Sequence, residues 1–263
     1  MLKGEVSKDP GAPVYYAGRA GDSLFAPGEI IPPGTRLATP TLAWFHPAVP
    51  PEPPIPYDYE VLYEDAHLIV VDKPHFLPTT SNGRVVRETV QTRLRVDYGE
   101  DHIVPLHRLD RLTAGVVICS RNPDTRGRYQ RLFQDRMVRK HYKALTVHPL
   151  DVDETIILGM RKEKGSRQVK VDSSGTTTVT RVLAAGNEAN LWPVTGHTHQ
   201  LRVLLNHLGA PILGDDTYPM DRGLDLYDFS SPMSLLHAAC EFTDPLDGRL
   251  RVFRSGRVLK STL

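Results

Sequence analysis

Short apolar runs, each suited to one β-strand, constrain the fold of this chain more than any other feature. Eight of them lie between residues 60 and 253, each four to eight residues long and rich in apolar and β-branched side chains. The runs are 60–63, 68–72, 116–120, 142–147, 177–183, 191–194, 235–242 and 250–253. Because runs of this length and composition are typical of strands, the sequence predicts a large β-sheet.

Three other segments carry helical signals. They are residues 87–96, a segment that begins with Pro123 at its first position, and residues 198–208. The third has a stripe of leucines on one face and ends at Gly209, a common helix stop. Because strands outnumber helices without regular alternation, we predict an α+β fold with a mixed, mostly antiparallel central sheet flanked by helices.

Six prolines between residues 47 and 56 mark a boundary in the chain. Proline-dense sequence of this kind is stiff and extended and does not build a core. We therefore predict a small Pro-rich N-terminal extension over residues 1–57 and a larger domain over residues 58–263. The extension has short apolar and aromatic runs broken by Gly and Pro, which predict a few short strands.

Composition excludes several classes of protein. With 263 residues, 40% of them hydrophobic, the chain can bury a large core. Its two cysteines, Cys119 and Cys240, lie inside apolar runs, which excludes a disulfide framework. Charged residues among the first thirty argue against a secretory signal, and no apolar stretch approaches the roughly 18 residues of a membrane span. We expect a cytoplasmic protein.

Basic residues form three clusters although the formal net charge is only +1. The first basic cluster spans residues 102–143 and holds ten Lys or Arg against three acids. The second is Arg161, Lys162, Lys164, Arg167 and Lys170, and the third is Arg249, Arg251, Arg254, Arg257 and Lys260. A single cluster is explained equally well as a solvated face, but three in one chain favour a polyanionic partner.

The segment HRLDRLTAG, residues 107–115, places Asp110 between two arginines. Apolar runs at 103–106 and 116–118 flank the segment and indicate buried strand on both sides. We therefore expect Asp110 at the lip of a sheet, partly shielded from water and close to cations. A carboxylate in such surroundings is a candidate nucleophile or base, or alternatively a member of a buried ion pair.

This segment resembles the catalytic motif of the RluA-type pseudouridine synthases, enzymes that convert uridine within RNA into its C-linked isomer. Three more blocks match the family in the same order. They are YED at 63–65 with LIVVDKP at 68–74, RKHYKA at 139–144, and TGHTHQLR at 195–202 with residues 209–216 and Tyr218 behind it. The resemblance implies the pseudouridine synthase fold for residues 58–263 and an isomerase that acts on ribosomal or transfer RNA.

The resemblance also implies the roles of individual residues. Asp110 matches the catalytic aspartate, Arg202 its ion partner and Tyr142 the aromatic residue against the uracil. Arg108 resembles the arginine that fills the space left by a flipped nucleotide. Further RNA contacts are assigned to His107, Arg111, Thr113, Arg139, Lys140, His197 and His199. Helical spacing places Arg202 off the leucine stripe, so we expect its side chain on the polar face rather than in the core.

A stem-loop of RNA is the expected partner of the protein, which we expect to be a monomer without contact to a membrane.

The isomerisation breaks the bond between ribose C1′ and uracil N1, rotates the base and joins C1′ to C5, with no change of redox state. It requires no cofactor and no metal. The chain accordingly has no phosphate-binding glycine loop and no Cys-rich metal spacing.

Three positions depart from the usual pattern of the family. His197 stands where an arginine is usual, Leu204 where a histidine is common, and Ala114 where a serine is frequent. The loss of a fixed cation at residue 197 is expected to weaken the contact with RNA or to make it depend on pH.

Two other functions remain open on the sequence alone. The first is an RNA-binding protein or RNA chaperone on the same scaffold that has lost catalysis. The second is a hydrolase that uses Asp110 with a metal held by His197, His199, His207 and His237. At the residue level, Arg202 can also be an ordinary surface arginine and Tyr142 a buried core aromatic.

Overall fold

A computed structural model describes residues 1–18, 24–45, 52–81 and 84–259 of the chain. The chain divides into two compact units, Met1–Glu52 (the first unit) and Pro53–Leu263 (the second unit). The sequence placed its boundary near residue 57, and residues 46–51 of the predicted linker lie outside the described residues. All the site residues named above belong to the second unit.

The described residues form sixteen strands and three helices. In the first unit the strands are β1 (Leu2–Glu5), β2 (Tyr15–Ala17), β3 (Ile30–Ile31), β4 (Arg36–Thr41) and β5 (Ala43–Phe45). The second unit has β6 (Glu60–Glu64), β7 (Leu68–Lys73), α1 (Val90–Tyr98), β8 (Val104–Pro105), β9 (Ala114–Ser120), α2 (Pro123–Gln134), β10 (Arg139–Leu145), β11 (Val152–Lys162), β12 (Val169–Val171), β13 (Thr176–Ala185), β14 (Glu188–Pro193), α3 (Gln200–His207), β15 (Leu235–Thr243) and β16 (Leu250–Arg254).

The first unit is built from the short strands that the sequence predicted. β1 pairs with β4, and β3, β2 and β5 form a three-stranded sheet. Val6, Ala17 and Ile31 are its buried apolar residues. The described part of this unit contains no helix.

One eleven-stranded sheet organises the second unit. Its main path runs β12-β11-β13-β14-β10-β15-β9-β7-β6, with β16 added beside β15 and β8 beside β9. Among the described residues, every pair in this sheet is antiparallel except β9 with β15, which is parallel. The predicted mixed, mostly antiparallel sheet of an α+β fold is therefore confirmed.

The helices cover both faces of this sheet. Val117 and Cys119 of β9 pack with α1, whereas Val116 and Ile118 pack with Tyr129 of α2. Because successive side chains of a strand point to opposite faces, α1 and α2 lie on opposite sides of β9. The longest helix in the described ranges, α2, has twelve residues, and none there has the length and apolar character to span a membrane.

The sequence did not predict the long strand β11 or its partner β12. Side chains along β11 are mostly exposed or half-buried, so the strand lacks the continuous apolar run that identified the others. Its last residues belong to the second basic cluster, which looked like a solvated face. The pairing of β11 with β13 over nine residues forms the strand nonetheless, because the backbone hydrogen bonds do not depend on side-chain polarity.

A close approach of β9 to β15 fixes the position of the HRLDRLTAG segment. Gly115 pairs with His237 and has a φ of +112°, a backbone conformation that favours glycine. A Cβ atom at residue 115 would lie 2.2 Å from the carbonyl oxygen of His237. The loop that carries Asp110 therefore enters β9 through a position that only glycine fits.

The end of the described chain folds back onto β7. The buried carboxylate of Asp72 accepts hydrogen bonds from Ser255 Oγ at 2.9 and 2.8 Å and from the Gly256 amide at 2.9 Å. Arg257 Nε lies 3.2 Å from the same carboxylate. The tail after β16 thus neutralises a charge buried in the second strand of this unit.

Candidate active site

A cleft of about 620 Å³ in the second unit brings most of the predicted site residues together. It is lined by His107, Arg108, Asp110, Arg111, Thr113, Lys140, Tyr142, His197, His199 and Arg202, and by other residues that include 78–81, Phe133, Gln134 and Arg136. Arg139 is the exception: its guanidinium lies at the surface, 3.0 Å from Glu241. Three of the four matched blocks, far apart in sequence, therefore converge on one cavity.

Asp110 faces Arg202 inside this cleft. Asp110 Oδ2 lies 3.3 Å from Arg202 Nη1, and the Asp110 side chain is 37% exposed. The carbonyl oxygen of Asp110 accepts a hydrogen bond from the Thr113 amide at 3.0 Å, which closes the loop into a turn. The carboxylate is thus accessible from the cleft on one side and held by a guanidinium on the other.

Arg202 is buried, which corrects the expectation that it lies on a polar face away from the core. Its side chain is only 5% exposed and contacts two carboxylates besides Asp110. Nε and Nη2 donate to Asp215 at 2.8 and 2.6 Å, and Nη2 also donates to Asp216 at 3.0 Å. Burial by itself lowers the pKa of Arg202, but the hydrogen bonds and the charge of Asp215 outweigh it and raise the pKa.

Asp215 is a site residue to which the sequence assigned no role. Its buried carboxylate also accepts the amides of Thr217 and Tyr218 at 2.8 and 3.0 Å. The sequence matched this segment to the family but offered no partner for either aspartate. The sequence did contain a signal for a buried ion pair, because the two adjacent acids follow Gly214 in a segment whose other residues are typical of buried chain. The fork of Arg202 is therefore fixed by a carboxylate that is itself fixed by backbone amides.

Asp216 connects Arg202 to two further arginines. Arg167 Nη2 lies 2.7 Å and Arg111 Nη2 lies 4.0 Å from Asp216 Oδ2. Arg111 also donates to the carbonyl oxygen of Asp225 at 3.2 Å, and its side chain is largely buried. Arg111 therefore forms part of the wall of the cleft through these contacts, and it also lines the cavity.

Lys73 lies fully buried beneath the cleft. Its Nζ donates to the carbonyl oxygens of Pro74 at 2.9 Å, Leu77 at 2.8 Å and Arg111 at 3.2 Å. Burial lowers the pKa of Lys73 well below its usual value, although the charge of Asp110 acts in the opposite direction. Lys73 thus joins the end of β7 to the loop that carries Asp110.

Tyr142 stacks on a buried histidine. The rings of Tyr142 and His237 have centroids 4.4 Å apart and an interplanar angle of 17°. Burial raises the pKa of Tyr142 and lowers that of His237 to about 4, so both side chains are neutral near pH 7. Tyr142 also lines the cleft. One face of the Tyr142 ring therefore packs on His237, and the residue also borders the cavity.

His107 is packed into the wall of the cleft. Its ring stacks on Phe133 at 5.1 Å, and its Nε2 accepts the Ile118 amide at 3.2 Å. Burial lowers the pKa of His107 well below its usual value. His107, a predicted RNA contact, therefore forms a hydrogen bond within the protein.

The loop before α3 carries the two other histidines of the cleft. His199 Nε2 lies 3.9 Å from Asp110 Oδ2. The His197 amide donates to Gln200 Oε1 at 3.2 Å, and that oxygen also accepts Thr195 Oγ1 at 2.9 Å. Among the described residues, no group of three or more His, Cys, Asp or Glu side chains is arranged to hold a metal ion.

The three basic clusters differ in how far acids neutralise them. Most cations of the second and third clusters form ion pairs: Arg161 with Asp172, Arg167 with Asp216 and Asp221, Lys170 with Glu163, Arg249 with Asp247, Arg251 with Asp244 and Asp247, and Arg257 with Asp72 and Glu60. Lys260 lies outside the described residues. In the first cluster, Arg108, Arg126, Arg128, Arg131, Arg136, Lys140 and Lys143 have no ion pair within the described ranges. Three of these unpaired cations, Arg108, Arg136 and Lys140, line the cleft.

Comparisons with known proteins agree with this site. A family model described as RNA pseudouridylate synthase matches residues 67–207. The dual-specificity RNA pseudouridine synthase RluA of Salmonella typhi is 32% identical over 206 residues, which cover 74% of this chain and 91% of that protein. An uncharacterized RNA pseudouridine synthase of Synechocystis sp. is 30% identical over 237 residues, 79% of each chain.

A solved structure shows the same fold. Human RNA pseudouridylate synthase domain containing 1 matches with a TM-score of 0.61 at 22% identity, over 78% of this chain and 86% of that one. The family model covers more than half of the chain and includes Asp110, Tyr142 and Arg202. The protein therefore belongs to the RNA pseudouridylate synthase family and is an RNA pseudouridine synthase of the RluA type.

Proposed function

We propose that the protein isomerises specific uridines of a structured RNA to pseudouridine, with Asp110 as the catalytic residue. The observation that carries the proposal is the pair of Asp110 and Arg202 in a cleft beside unpaired cations. A carboxylate that is open to the cleft yet oriented by a buried guanidinium is equipped to act on the ribose or the base of a bound nucleotide. A catalytically silent RNA-binding protein has no need of this arrangement.

Arg202 is the ion partner of Asp110 in this proposal. Its planar guanidinium donates to Asp215 and Asp216 while one nitrogen remains directed at Asp110. Arg202 is buried and stays charged, so protein groups rather than water molecules hold its guanidinium next to Asp110. The carboxylate is thereby oriented before RNA enters the cleft, which reduces the reorganisation needed during the reaction.

Tyr142 is proposed to stack against the uracil. One face of its ring is occupied by His237, and the residue lines the same cavity as Asp110. The raised pKa keeps its hydroxyl protonated, so the hydroxyl can donate or accept a hydrogen bond near C5 of the base.

A nucleotide must leave the base stack to reach Asp110, at a cost of a few kcal/mol. We propose that Arg108, exposed beside Asp110, occupies the space that the flipped nucleotide leaves. Lys140, His197, Arg111, Thr113, His107 and His199 line the cleft and are the proposed RNA contacts there. Arg139 is proposed to contact RNA outside the cleft, in competition with its partner Glu241.

The proposed substrates are stem-loops of ribosomal or transfer RNA, recognised by shape. We propose that the second unit carries the activity, since the residues with proposed roles all lie in it. We further propose that the protein acts as a monomer and without a cofactor. The cytoplasm is the proposed location, because Cys119 and Cys240 are buried free thiols, as is usual in a reducing compartment.

Tritium release tests the proposal. Transcripts of ribosomal and transfer RNA labelled with [5-³H]uridine should lose tritium when the wild-type protein is added without a cofactor. Asp110→Asn should slow release by more than about a hundredfold while RNA binding is retained. Asp151→Asn, at an exposed position away from the cleft, is the control and should behave as the wild type. Equal release by the Asp110→Asn and wild-type proteins would overturn the role of Asp110.

A further inference from the structure

His199 lies between Tyr218 and Asp110 and is largely buried. It precedes the first residue of α3 and has a left-handed backbone with φ of 57°. Its Nδ1 lies 3.1 Å from the Tyr218 hydroxyl, and its Nε2 lies 3.9 Å from Asp110 Oδ2. The side chain is 14% exposed, so one edge of the ring reaches the cleft.

The partners of Tyr218 determine which nitrogen of His199 carries the proton. The Tyr218 hydroxyl accepts the Val169 amide at 2.7 Å, and its single proton is then free to be donated. His199 Nδ1 at 3.1 Å is a nearer acceptor than the Val169 carbonyl oxygen at 3.4 Å. Burial lowers the pKa of His199 to about 4, so the ring is neutral near pH 7. With Nδ1 as the acceptor, the proton of a neutral ring lies on Nε2.

The Nε2 proton of His199 therefore faces the carboxylate of Asp110 across a gap. A separation of 3.9 Å is too long for a hydrogen bond, and Nε2 has no other hydrogen-bond partner among the described residues. One donor and one acceptor thus lie on either side of the same small gap. A hydroxyl group fits this space, because its oxygen can accept from Nε2 while its proton is donated to the carboxylate.

We propose, on the basis of the proposed function, that His199 determines specificity for ribose by donating a hydrogen bond from Nε2 to the 2′-oxygen of the target uridine. The 2′-hydroxyl is adjacent to C1′, the carbon whose bond to N1 must break beside Asp110. It is also the group by which a protein distinguishes RNA from DNA. Tyr218 acts as a positioning residue, because its hydroxyl fixes the orientation and proton of the His199 ring.

The experiment compares two transcripts, one with [5-³H]uridine and one with [5-³H]2′-deoxyuridine at every uridine position. The ratio of the two kcat/KM values for tritium release is the readout, and a merely structural role of His199 would leave this ratio unchanged. His199→Gln retains an amide donor near the position of Nε2, whereas His199→Asn reaches only the position of Nδ1. His207→Asn, at the exposed end of α3, is the matched control. Effects of deoxyuridine elsewhere in the RNA are common to all variants and cancel.

We expect the wild-type, His207→Asn and His199→Gln proteins to prefer the ribose transcript by more than about tenfold, because deoxyuridine loses the hydrogen bonds to both Nε2 and Asp110. His199→Asn should lower this preference by about tenfold, as for the loss of one hydrogen bond. Tyr218→Phe keeps His199 but removes the hydroxyl that orients it, so the preference should fall there too, which provides a second test if His199→Asn does not fold. An unchanged ratio in the folded variants, or no preference in the wild type, would overturn the inference alone. Absence of release by the wild type would overturn the proposed function and this inference with it.

Discussion

At the scale of residues, Asp215 orients Arg202 much as Arg202 orients Asp110. Arg202 has two short bonds to Asp215 and one longer contact to Asp110, so its position is fixed by the buried acid rather than by the accessible one. The geometry of Asp110 in the cleft therefore depends on a residue that does not line the cleft.

Asp215→Asn should destabilise the protein strongly, since it removes a charge that compensates a buried guanidinium. Breaking a buried ion pair costs about 3–5 kcal/mol, and we expect a loss of this size in the free energy of unfolding measured with urea. Asp153→Asn is the matched control, because Asp153 forms an ion pair with Arg181 at the surface. The control should change stability by less than about 1 kcal/mol. Equal effects of the two substitutions would contradict the argument.

The residues of the site were predictable from the sequence to different degrees. The motifs pointed to Asp110, Arg202 and Tyr142, and the structure brings these three into one cleft. Helical periodicity could not show that Arg202 is buried, because it describes one helix and not the loop of acids that covers its polar side. Asp215 was missed for the same reason, since its partner lies thirteen residues away on another element.

At the scale of elements, the parallel contact between β9 and β15 depends on the absence of a side chain at one position. Gly115 combines a positive φ with a carbonyl oxygen that occupies the place of a Cβ atom. This contact also places His237 beneath Tyr142 and sets where the loop of Asp110 begins.

Gly115→Ala should lower the free energy of unfolding by more than about 3 kcal/mol, because the methyl group is both sterically blocked and set on a strained backbone. Gly127→Ala is the matched control within α2, where a Cβ atom would meet nothing within 4 Å. The control should stabilise the protein by about 0.5–1 kcal/mol, since alanine favours the helix. Thermal or urea unfolding of both variants provides the comparison, and a tolerated Gly115→Ala would refute the steric argument.

Elements with a buried side were the ones that the sequence predicted well. β7 and β9 are buried along their whole length, and both were recognised to within two residues at each end. α2 begins at Pro123 as predicted, where Asn122 Oδ1 accepts the Asp124 amide at 2.9 Å. β11 escaped prediction because its pairing partner, rather than its own pattern, makes it a strand.

At the scale of the whole molecule, pairing with acids decides which cations can attract RNA. From sequence alone the three basic clusters had equal weight, since ion pairs between distant segments cannot be read from composition. In the structure most of the second and third clusters are neutralised, and the first keeps unpaired cations such as Arg136, which lines the cleft.

Arg136→Glu should weaken binding of a ribosomal RNA transcript and reduce the dependence of affinity on salt. Each lost phosphate contact lowers the slope of log affinity against log salt by about 0.7–0.9. Lys170→Glu, at a position already paired with Glu163, carries the same change of charge and should leave the slope unchanged. Filter binding over a range of salt concentrations measures both. Equal slopes for the two variants would show that RNA binds elsewhere.

The return of the tail onto Asp72 has a consequence for how the protein is made. The hydrogen bonds from Ser255 to Asp72 join groups 183 residues apart. A chain still being translated must carry that carboxylate without its partners until the ribosome has passed the tail. Completion of this part of the core therefore waits until residues 255–257 have left the ribosome, and a nascent chain stalled before Ser255 keeps the Asp72 carboxylate without these partners.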